Sequence, residues 1–398
     1  MGKLFLDASR IAALNEGFAA AFGGAPQRYF SAPGRTELSG NHTDHQRGRV
    51  LAAAVDLDTQ AAVRENGTNL IRIQSQGYPL CQVDVTSLMP RQEELNSTPA
   101  LIRGVAARFH QLGCQVKGFD AYVESTVLPG SGLSSSAAFE VLIGTIINHL
   151  FFDAKASAPQ VAMIGQYAEN VYFGKPSGLL DQMASSSGGL VAIDFKHADA
   201  KVTPLSYDFT QKGYALVVVN TGGSHADLTD CYASIPAEMR QVAACFGETD
   251  LRRIRPEQFF QELGNLRNKV SDRALMRAIH YYGENVRVDR QVEALKADDM
   301  EGFKEQIIAS GRSSYMYLQN VYAKEDQQQL SLALAIAEHL LNGKGAWRVH
   351  GGGFAGTTLN FVPNDMLPKF IEKMETVFGV RSCQVLDIRP EGAAYLEL

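Results

Sequence analysis

Leu128-Pro-Gly-Ser-Gly-Leu-Ser-Ser-Ser-Ala-Ala-Phe139 decides how the rest of this chain is read. A strand-like run, residues 119–127, precedes it, and an apolar helical run, residues 137–152, follows it. Strand, glycine turn and helix start bring several backbone N–H groups and the positive end of a helix dipole to one place. Gly130 and Gly132 take positive φ at no steric cost and let backbone approach a ligand closely. Ser134, Ser135 and Ser136 are helix-capping residues, and their hydroxyls also suit phosphate or a metal. Two readings stand side by side: a capped helix after a glycine turn, and an anion site. Three consecutive hydroxyls weigh toward the second.

The chain has 398 residues, enough for a large core and two lobes. Its hydrophobic and charged fractions, 45% and 20%, are ordinary for a soluble globular protein. The net charge of −6, with no long basic run, excludes duplex nucleic acid as a partner. A local site for a small anion remains compatible with it. Cys81, Cys114, Cys231, Cys245 and Cys383 are scattered, odd in number and free of any Cys-x-x-Cys pair. That pattern argues against a zinc site or a disulfide frame. The first residues lack the long apolar core of a signal peptide, and no run reaches the length of a membrane span. The expected location is the reducing cytoplasm.

Outward from the glycine-serine turn, residues 7–23 have helical spacing and end at Gly23-Gly24. Residues 27–33 read as a short strand. Residues 34–48 read as a dense polar loop carrying Arg35, Glu37, Asn41, His42, Asp44 and His45, held over the domain by the strands on either side. Residues 49–64, 69–76 and 81–85 read as strands, and residues 98–112 as an amphipathic helix. The first portion is thus strand-rich with helices on one side, an α+β lobe.

Residues 158–173 read as a helix with Glu169 near its end, broken by Gly174-Lys-Pro-Ser-Gly-Leu-Leu-Asp-Gln-Met183. Asp181 in that turn is either a helix N-cap or a site carboxylate. Strands follow at 190–195 and 214–219, and residues 222–232 form another polar turn. Residues 234–342 are almost wholly helical, with residues 280–283 and Gly311-Arg-Ser-Ser as candidate turns or helix ends. The chain closes with strands around Gly351-Gly-Gly353, a helix at 366–378 and short strands near 384–388 and 394–398. Three glycines between strands suit a hairpin or close approach to a ligand. No flexible linker is visible, so the two lobes are expected in wide contact.

Three separated motifs now stand together. Pro129-Gly-Ser-Gly-Leu-Ser-Ser-Ser-Ala-Ala138 resembles the phosphate-binding motif of the GHMP small-molecule kinases. Ala32-Pro-Gly-Arg-Thr-Glu-Leu-Ser-Gly-Asn-His-Thr-Asp-His45 is similar to the signature loop of galactokinases, as is the turn Gly178-Leu-Leu-Asp-Gln182. Arg348-Val-His-Gly-Gly-Gly-Phe-Ala-Gly356 resembles the family's third glycine motif. The resemblance runs from about residue 32 to the C-terminus.

That resemblance implies an α+β, two-lobed GHMP kinase fold. It would comprise a ribosomal-S5-like N-terminal lobe (residues 1–195) and a C-terminal α+β lobe (residues 196–398), with the active site between them. It also implies ATP, Mg²⁺ and transfer of the γ-phosphoryl group to the anomeric hydroxyl of galactose. By position, Arg35 and Asp181 would be the catalytic pair. Asn41, His42, Asp44, Gly178 and Tyr232 would contact the sugar, Tyr232 being placed by its spacing from His225. Gly130, Ser131, Gly132, Leu133, Ser134 and Ser135 would bind the nucleotide, and Ser136 and Glu169 the Mg²⁺. The expected partners are a small sugar and ATP, with no nucleic acid and no membrane. A monomer is compatible, though oligomeric state has no sequence signal.

The residue types suit that chemistry on their own account. Phosphoryl transfer needs positioning and charge neutralisation more than covalent chemistry. A carboxylate accepts the proton of a sugar hydroxyl, and a neighbouring arginine keeps it ionised. No Gly-x-x-x-x-Gly-Lys-Ser/Thr, His-Arg-Asp or Asp-Phe-Gly occurs, which excludes P-loop and protein-kinase readings. The sugar loop departs from the family at Glu37, Asn41 and His45, where galactokinases usually carry Asn, Glu and Tyr. Asn41 bonds a hydroxyl without the charge-assisted bond. The sugar therefore stays open among galactose, N-acetylgalactosamine, arabinose, a uronic acid and, furthest off, mevalonate. A catalytically silent galactose and ATP sensor is the reading from another class.

Overall fold

The computed structural model describes residues 7–397 except 128, 129, 131, 223–227 and 355. In the first half lie α1 (Ala8–Phe22), β1 (Arg28–Ser39), β2 (Arg49–Glu65), β3 (Leu70–Ser75), β4 (Cys81–Asp84), α2 (Thr98–Gln111), β5 (Phe119–Ser125), α3 (Ser135–Phe151), α4 (Ala158–Tyr167), α5 (Leu180–Ser187), β6 (Leu190–Asp194) and β7 (Lys201–Leu205). In the second lie β8 (Tyr214–Asn220), α6 (Thr229–Ala244), α7 (Pro256–Gln261), α8 (Leu263–Leu266), α9 (Asp272–Lys296), α10 (Met300–Ser313), α11 (Gln329–Leu341), β9 (Ala346–His350), β10 (Thr357–Pro363), α12 (Leu367–Phe378), β11 (Cys383–Leu386) and β12 (Ala394–Leu396). A π-helical turn, Ala168–Phe173, continues α4, and another, Ser314–Leu318, continues α10.

The first sheet is built around β2. One edge of β2 is taken by β1, and the other is shared between β6 at its start and β5 at its end. Both faces of β2 are covered, so it reads as a near-continuous apolar run instead of an alternating one. Val63 and Ala61 pack under α2, α3 and α4, with Val105, Phe109, Val141 and Ile146. Leu51, Ala53 and Val55 face the other way, into a core shared with Leu216 and Val218 of β8 and Phe303 of α10. That second core joins the lobes and removes any need for a linker.

The second sheet is antiparallel, in the order β11-β8-β10-β9. Its outer face carries α11 and α12, through Leu330, Leu334, Phe370 and Met374. Helices α6 to α9 form their own cluster around Met239, Phe259 and Tyr281. The first sheet also takes β7 and β12 from beyond residue 195, β12 pairing Leu396 with Tyr29 of β1. The proposed division at residue 195 thus follows the chain's course, while the strands of the first sheet come from both sides of it.

Two local expectations need correction. Residues 34–39 are the buried second half of β1, not loop; only residues 40–48 leave the sheet. Thr36, Glu37 and Ser39 find side-chain partners in the second lobe, and Arg35 finds its own at Gly132 and Asp181, which a local reading does not see. Residues 280–283 lie inside α9, where His280 and Tyr281 are buried. Gly311 lies inside α10, and a Cβ there would come within 2.9 Å of the Trp347 carbonyl oxygen. This glycine lets α10 approach β9 closely, and the α-helix does end within the stretch 311–314, at Ser313, as expected. The strand β7 was not anticipated at all.

That contact makes a test of the packing. Gly311→Val must push α10 off β9, and the overpacking should lower stability by about 1–3 kcal/mol in urea unfolding. An unchanged midpoint would mean that the two elements are not in firm contact.

Candidate active site

Between the lobes lies a cleft of about 660 Å³. Its walls come from the end of β1, the loop 40–48, the start of α3, the segment 169–181, α6 and the β9–β10 turn. Arg35 is the residue on which these parts converge. It follows a register shift in β1, where pairing jumps from Pro33 opposite Asp58 to Arg35 opposite Ala54. Pro33 has no N–H to donate, and such irregularities bend a strand and re-aim its side chains. Arg35 is 5% exposed. Its Nε donates to Asp181 Oδ1 at 2.7 Å and its Nη1 to the Gly132 carbonyl at 2.6 Å. Its backbone N–H donates to the Leu133 carbonyl at 3.1 Å.

Asp181 sits in the first turn of α5; the N-cap there is Leu179. Its second carboxylate oxygen accepts the hydroxyl of Ser134. Ser134 is the N-cap position of α3, but it has φ +58° and makes no capping bond with its side chain. The capping expectation fails here because that hydroxyl is given to Asp181 instead. Burial pushes the Asp181 carboxyl upward, but the charge and hydrogen bond of Arg35, with the Ser134 hydroxyl, outweigh it and hold it below the ordinary range. Gly132 has φ +77°, and a Cβ on it would meet the Thr357 hydroxyl at 2.2 Å. Gly130, Ser135 and Ser136 line the same wall, and Leu133 turns its side chain into the shared core. Ser131 lies outside the described residues, as does His225.

The loop after β1 forms the floor. His42 has φ +59°, its Nε2 lies 3.0 Å from the Gly352 carbonyl, and its ring stacks on His45. Burial lowers the His42 pKa to about 4, so the ring is neutral at pH 7. Asp44 accepts the N–H groups of His45 at 2.9 Å and Leu180 at 3.2 Å. A Cβ on Gly178 would stand 1.8 Å from Asp44 Oδ2, so only glycine leaves room for that carboxylate. Tyr232, on α6, donates its hydroxyl to the Gly353 carbonyl at 2.9 Å.

Asn41 departs from expectation. Its Nδ2 donates to Glu37 Oε1 at 2.9 Å and the Gly351 carbonyl at 2.7 Å. Its Oδ1 accepts from Asn320 at 2.7 Å and Ser314 at 3.3 Å. Every hydrogen-bonding group of the amide is engaged. Glu37 in turn meets Arg348 Nη2 at 2.8 Å, both buried. His350, beside them, accepts the Glu37 N–H at Nε2 (3.3 Å), which requires that nitrogen unprotonated. Burial, then Arg35 and Arg348, hold its pKa well below the usual histidine value.

Glu169 is buried in the π-helical turn. Its Oε1 receives Lys175 Nζ at 2.7 Å and the Ser136 hydroxyl at 3.3 Å; its Oε2 receives Gln182 at 2.9 Å. Gln182 also bonds the buried Glu140, whose carboxyl is pushed well up by burial and then by Glu169. Sequence reasoning missed Lys175, Asn320, Arg348 and His350 as members of this cleft or its support. Lys175 stood in the quoted turn, and Arg348 and His350 in the quoted glycine motif; Asn320 carries no sequence signal. The assembled site holds an ionised carboxylate against an arginine, beside a helix start rich in N–H and hydroxyl donors. Such a site withdraws a proton from a hydroxyl and steadies negative charge.

Comparison with known proteins identifies a family and a fold. Residues 16–65 match the galactokinase galactose-binding signature and residues 100–189 the GHMP kinases N terminal domain. The chain is 31% identical over 354 residues to a galactokinase of Glaesserella parasuis serovar 5 (strain SH0165), covering 86% of this chain and 87% of that one. It is 29% identical over 389 residues to a galactokinase of Streptomyces coelicolor (strain ATCC BAA-471 / A3(2) / M145), covering 96% and 97%. The crystal structure of Lactococcus lactis galactokinase complexed with galactose superposes with a TM-score of 0.85 at 25% identity, covering 97% of this chain and 99% of that one. Methanococcus jannaschii mevalonate kinase shares the fold at 14% identity, with a TM-score of 0.65 over 92% of this chain and 99% of that one.

The central pair has a titration signature. Asp181 should titrate below 3.8, read from carboxyl-carbon NMR shifts. Because the folded value is depressed, the pair's stabilisation is present above the unfolded carboxylate pKa and is lost as pH falls through the folded one. Arg35→Ala should move the Asp181 titration upward, since only the Ser134 hydroxyl and the Lys175 charge then oppose the effect of burial. An unmoved titration would mean that the two groups do not interact.

Proposed function

The chain belongs to the galactokinase family, and from that premise we propose how it runs its reaction: ATP and galactose give ADP and galactose 1-phosphate. The protein is a sugar kinase of the GHMP type. The observation that carries the reading is the contact of Arg35 with Asp181, whose other oxygen is held by Ser134 of the glycine-serine turn. One carboxylate is thereby shared between the candidate sugar floor and the candidate phosphate wall.

Gly130 to Ser135 and the start of α3 present backbone N–H groups and the helix dipole to the nucleotide phosphates. His42, Asp44, Tyr232 and the backbone at Gly178 surround the sugar, whose hydroxyls suit short polar side chains. Asn41, fully engaged by its neighbours, holds the loop in shape instead of reading the sugar directly. Arg35 keeps Asp181 ionised. Asp181 draws the proton from the anomeric hydroxyl as the sugar oxygen bonds to the γ-phosphorus and the bond to the β-phosphate oxygen breaks. Arg35 then steadies the charge on the attacking oxygen.

The family implies Mg²⁺, and the donor set fits it. Glu169 and Ser136 supply hard oxygens at the cleft wall, a partial shell that leaves room for phosphate and water. Among the described residues there is no group of three or more His, Cys, Asp or Glu that would build a closed metal site. Bound there, Mg²⁺ would neutralise charge on the phosphates during transfer. No helix among the described residues is long and apolar enough to cross a membrane. Both substrates are small and polar, in keeping with a cytoplasmic role.

Asp181→Ala should cut kcat for galactose-dependent ADP release by about 10²- to 10⁴-fold while the circular dichroism spectrum stays unchanged. Normal turnover would remove Asp181 from the mechanism. With ATP and a panel of sugars, kcat/KM should be highest for galactose. A far higher value for N-acetylgalactosamine, arabinose or a uronic acid would reassign the substrate.

A further inference from the structure

Lys175 sits on the one oxygen of Glu169 that is not already committed to the interior. Gln182 holds Oε2 from the buried side, at 2.9 Å. Oε1 faces the cleft, where Ser136 approaches to 3.3 Å and Lys175 Nζ to 2.7 Å. Any cation that joins Glu169 to Ser136 meets this same edge, already occupied by an ammonium group. Two cations on one carboxylate oxygen repel, so one must leave.

Lys175 is built to leave. Its side chain is 53% exposed, against 3% for Glu169. Its backbone is tied down: the Lys175 N–H bonds the Glu169 carbonyl at 3.1 Å, after Gly174 with φ +91° and before Pro176. The stem is therefore anchored while the head is free to turn. The same cleft is lined by Gly130, Gly132, Ser134, Ser135, Ser136 and Asp181, so the head turns within the space where phosphates are expected.

Resting on the kinase reading above, we propose that Lys175 is an exchangeable countercharge. It neutralises Glu169 while the metal is away, and it swings onto the terminal phosphate when the metal takes its place. The site then never carries an unpaired buried carboxylate, and the phosphates gain a cation at the moment the metal arrives. A lysine suits this role better than an arginine, because it is a compact point charge on a flexible stem.

The test uses the full chain and Lys175→Met, which keeps the stem's bulk and removes the charge. Mn²⁺ is the metal probe, measured by electron paramagnetic resonance without nucleotide. Loss of the competing ammonium should tighten Mn²⁺ binding about five- to tenfold. ATP binding in EDTA, by calorimetry, should weaken about tenfold, because Glu169 then faces the phosphates without its countercharge. With Mg²⁺ and galactose, kcat should fall about a hundredfold while KM for galactose holds, the mark of an interaction made in the transition state. In Glu169→Gln the effect of Lys175→Met on Mn²⁺ should vanish, because the two charges no longer compete. Unchanged Mn²⁺ and ATP affinities in Lys175→Met would overturn the proposal, as would weaker Mn²⁺ binding. Failure of the kinase reading looks different: the unaltered chain would then release no ADP with galactose, whatever the two binding measurements give.

Discussion

A guanidinium taken out of water has to be met by negative charge and by acceptors, or the fold that buries it is unstable. Arg35 imposes that condition here. Its acceptors lie 97 and 146 residues away, at Gly132 and Asp181. The strand that carries Arg35, the turn that carries Gly132 and the helix that carries Asp181 must therefore come together. The constraint runs both ways, since Asp181 without Arg35 would lose the charge that does most to keep its carboxyl ionised. The chemistry of the site is in this sense a by-product of a neutralised buried charge. The structural requirement and the proposed catalytic one are met by the same contact.

A second buried pair ties the lobes. Glu37 of β1 meets Arg348 of β9, and Asn41 links Glu37 to the carbonyl of Gly351. Further along the same loop, Ser39 and the Gly40 N–H both donate to Glu284 of α9, at 2.9 and 3.0 Å. Arg287 and Ser310 satisfy the rest of that carboxylate, and its pKa is held far below the ordinary range despite burial. The cleft is thus lined on one side by a stretch, residues 37–42, that is hydrogen-bonded to the other lobe. A floor held this way presents fixed groups to a ligand, which lowers the cost of ordering them on binding.

Much of this was legible before any coordinates. The apolar run of β2, the helix that opens at Ser135, and the polar cluster from Arg35 to His45 all announce themselves in local composition. Arg35, Asp44, Gly178, Asp181 and Tyr232 do meet in one cleft, as the joint occurrence of the motifs implied. The illegible parts share one cause. Residues 34–39 looked like loop because glycine and polar side chains usually mark solvated turns. Here their partners are Arg348, His350 and Glu284, more than 200 residues away in sequence. Gly311 was legible only as part of the stretch where α10 ends, whereas its missing side chain also makes room for β9. Ser134 looked like a cap because serine prefers that position, yet Asp181 offers its hydroxyl a charged acceptor.

The sequence by itself determined which residue types are available and where most of the helices and strands lie, because those follow from periodicity, glycine placement and short-range hydrogen bonding. It also determined the family, because three motifs so far apart do not coincide by chance. Only the tertiary structure decided what each polar side chain is doing. Asn41 has its whole amide engaged by Glu37, Gly351, Ser314 and Asn320, Glu169 shares its open oxygen with Lys175, and Glu37 is neutralised by Arg348. The reason is physical: a polar group's role depends on which partner satisfies it and how much water remains, and in a closed cleft both are set by elements that are distant along the chain.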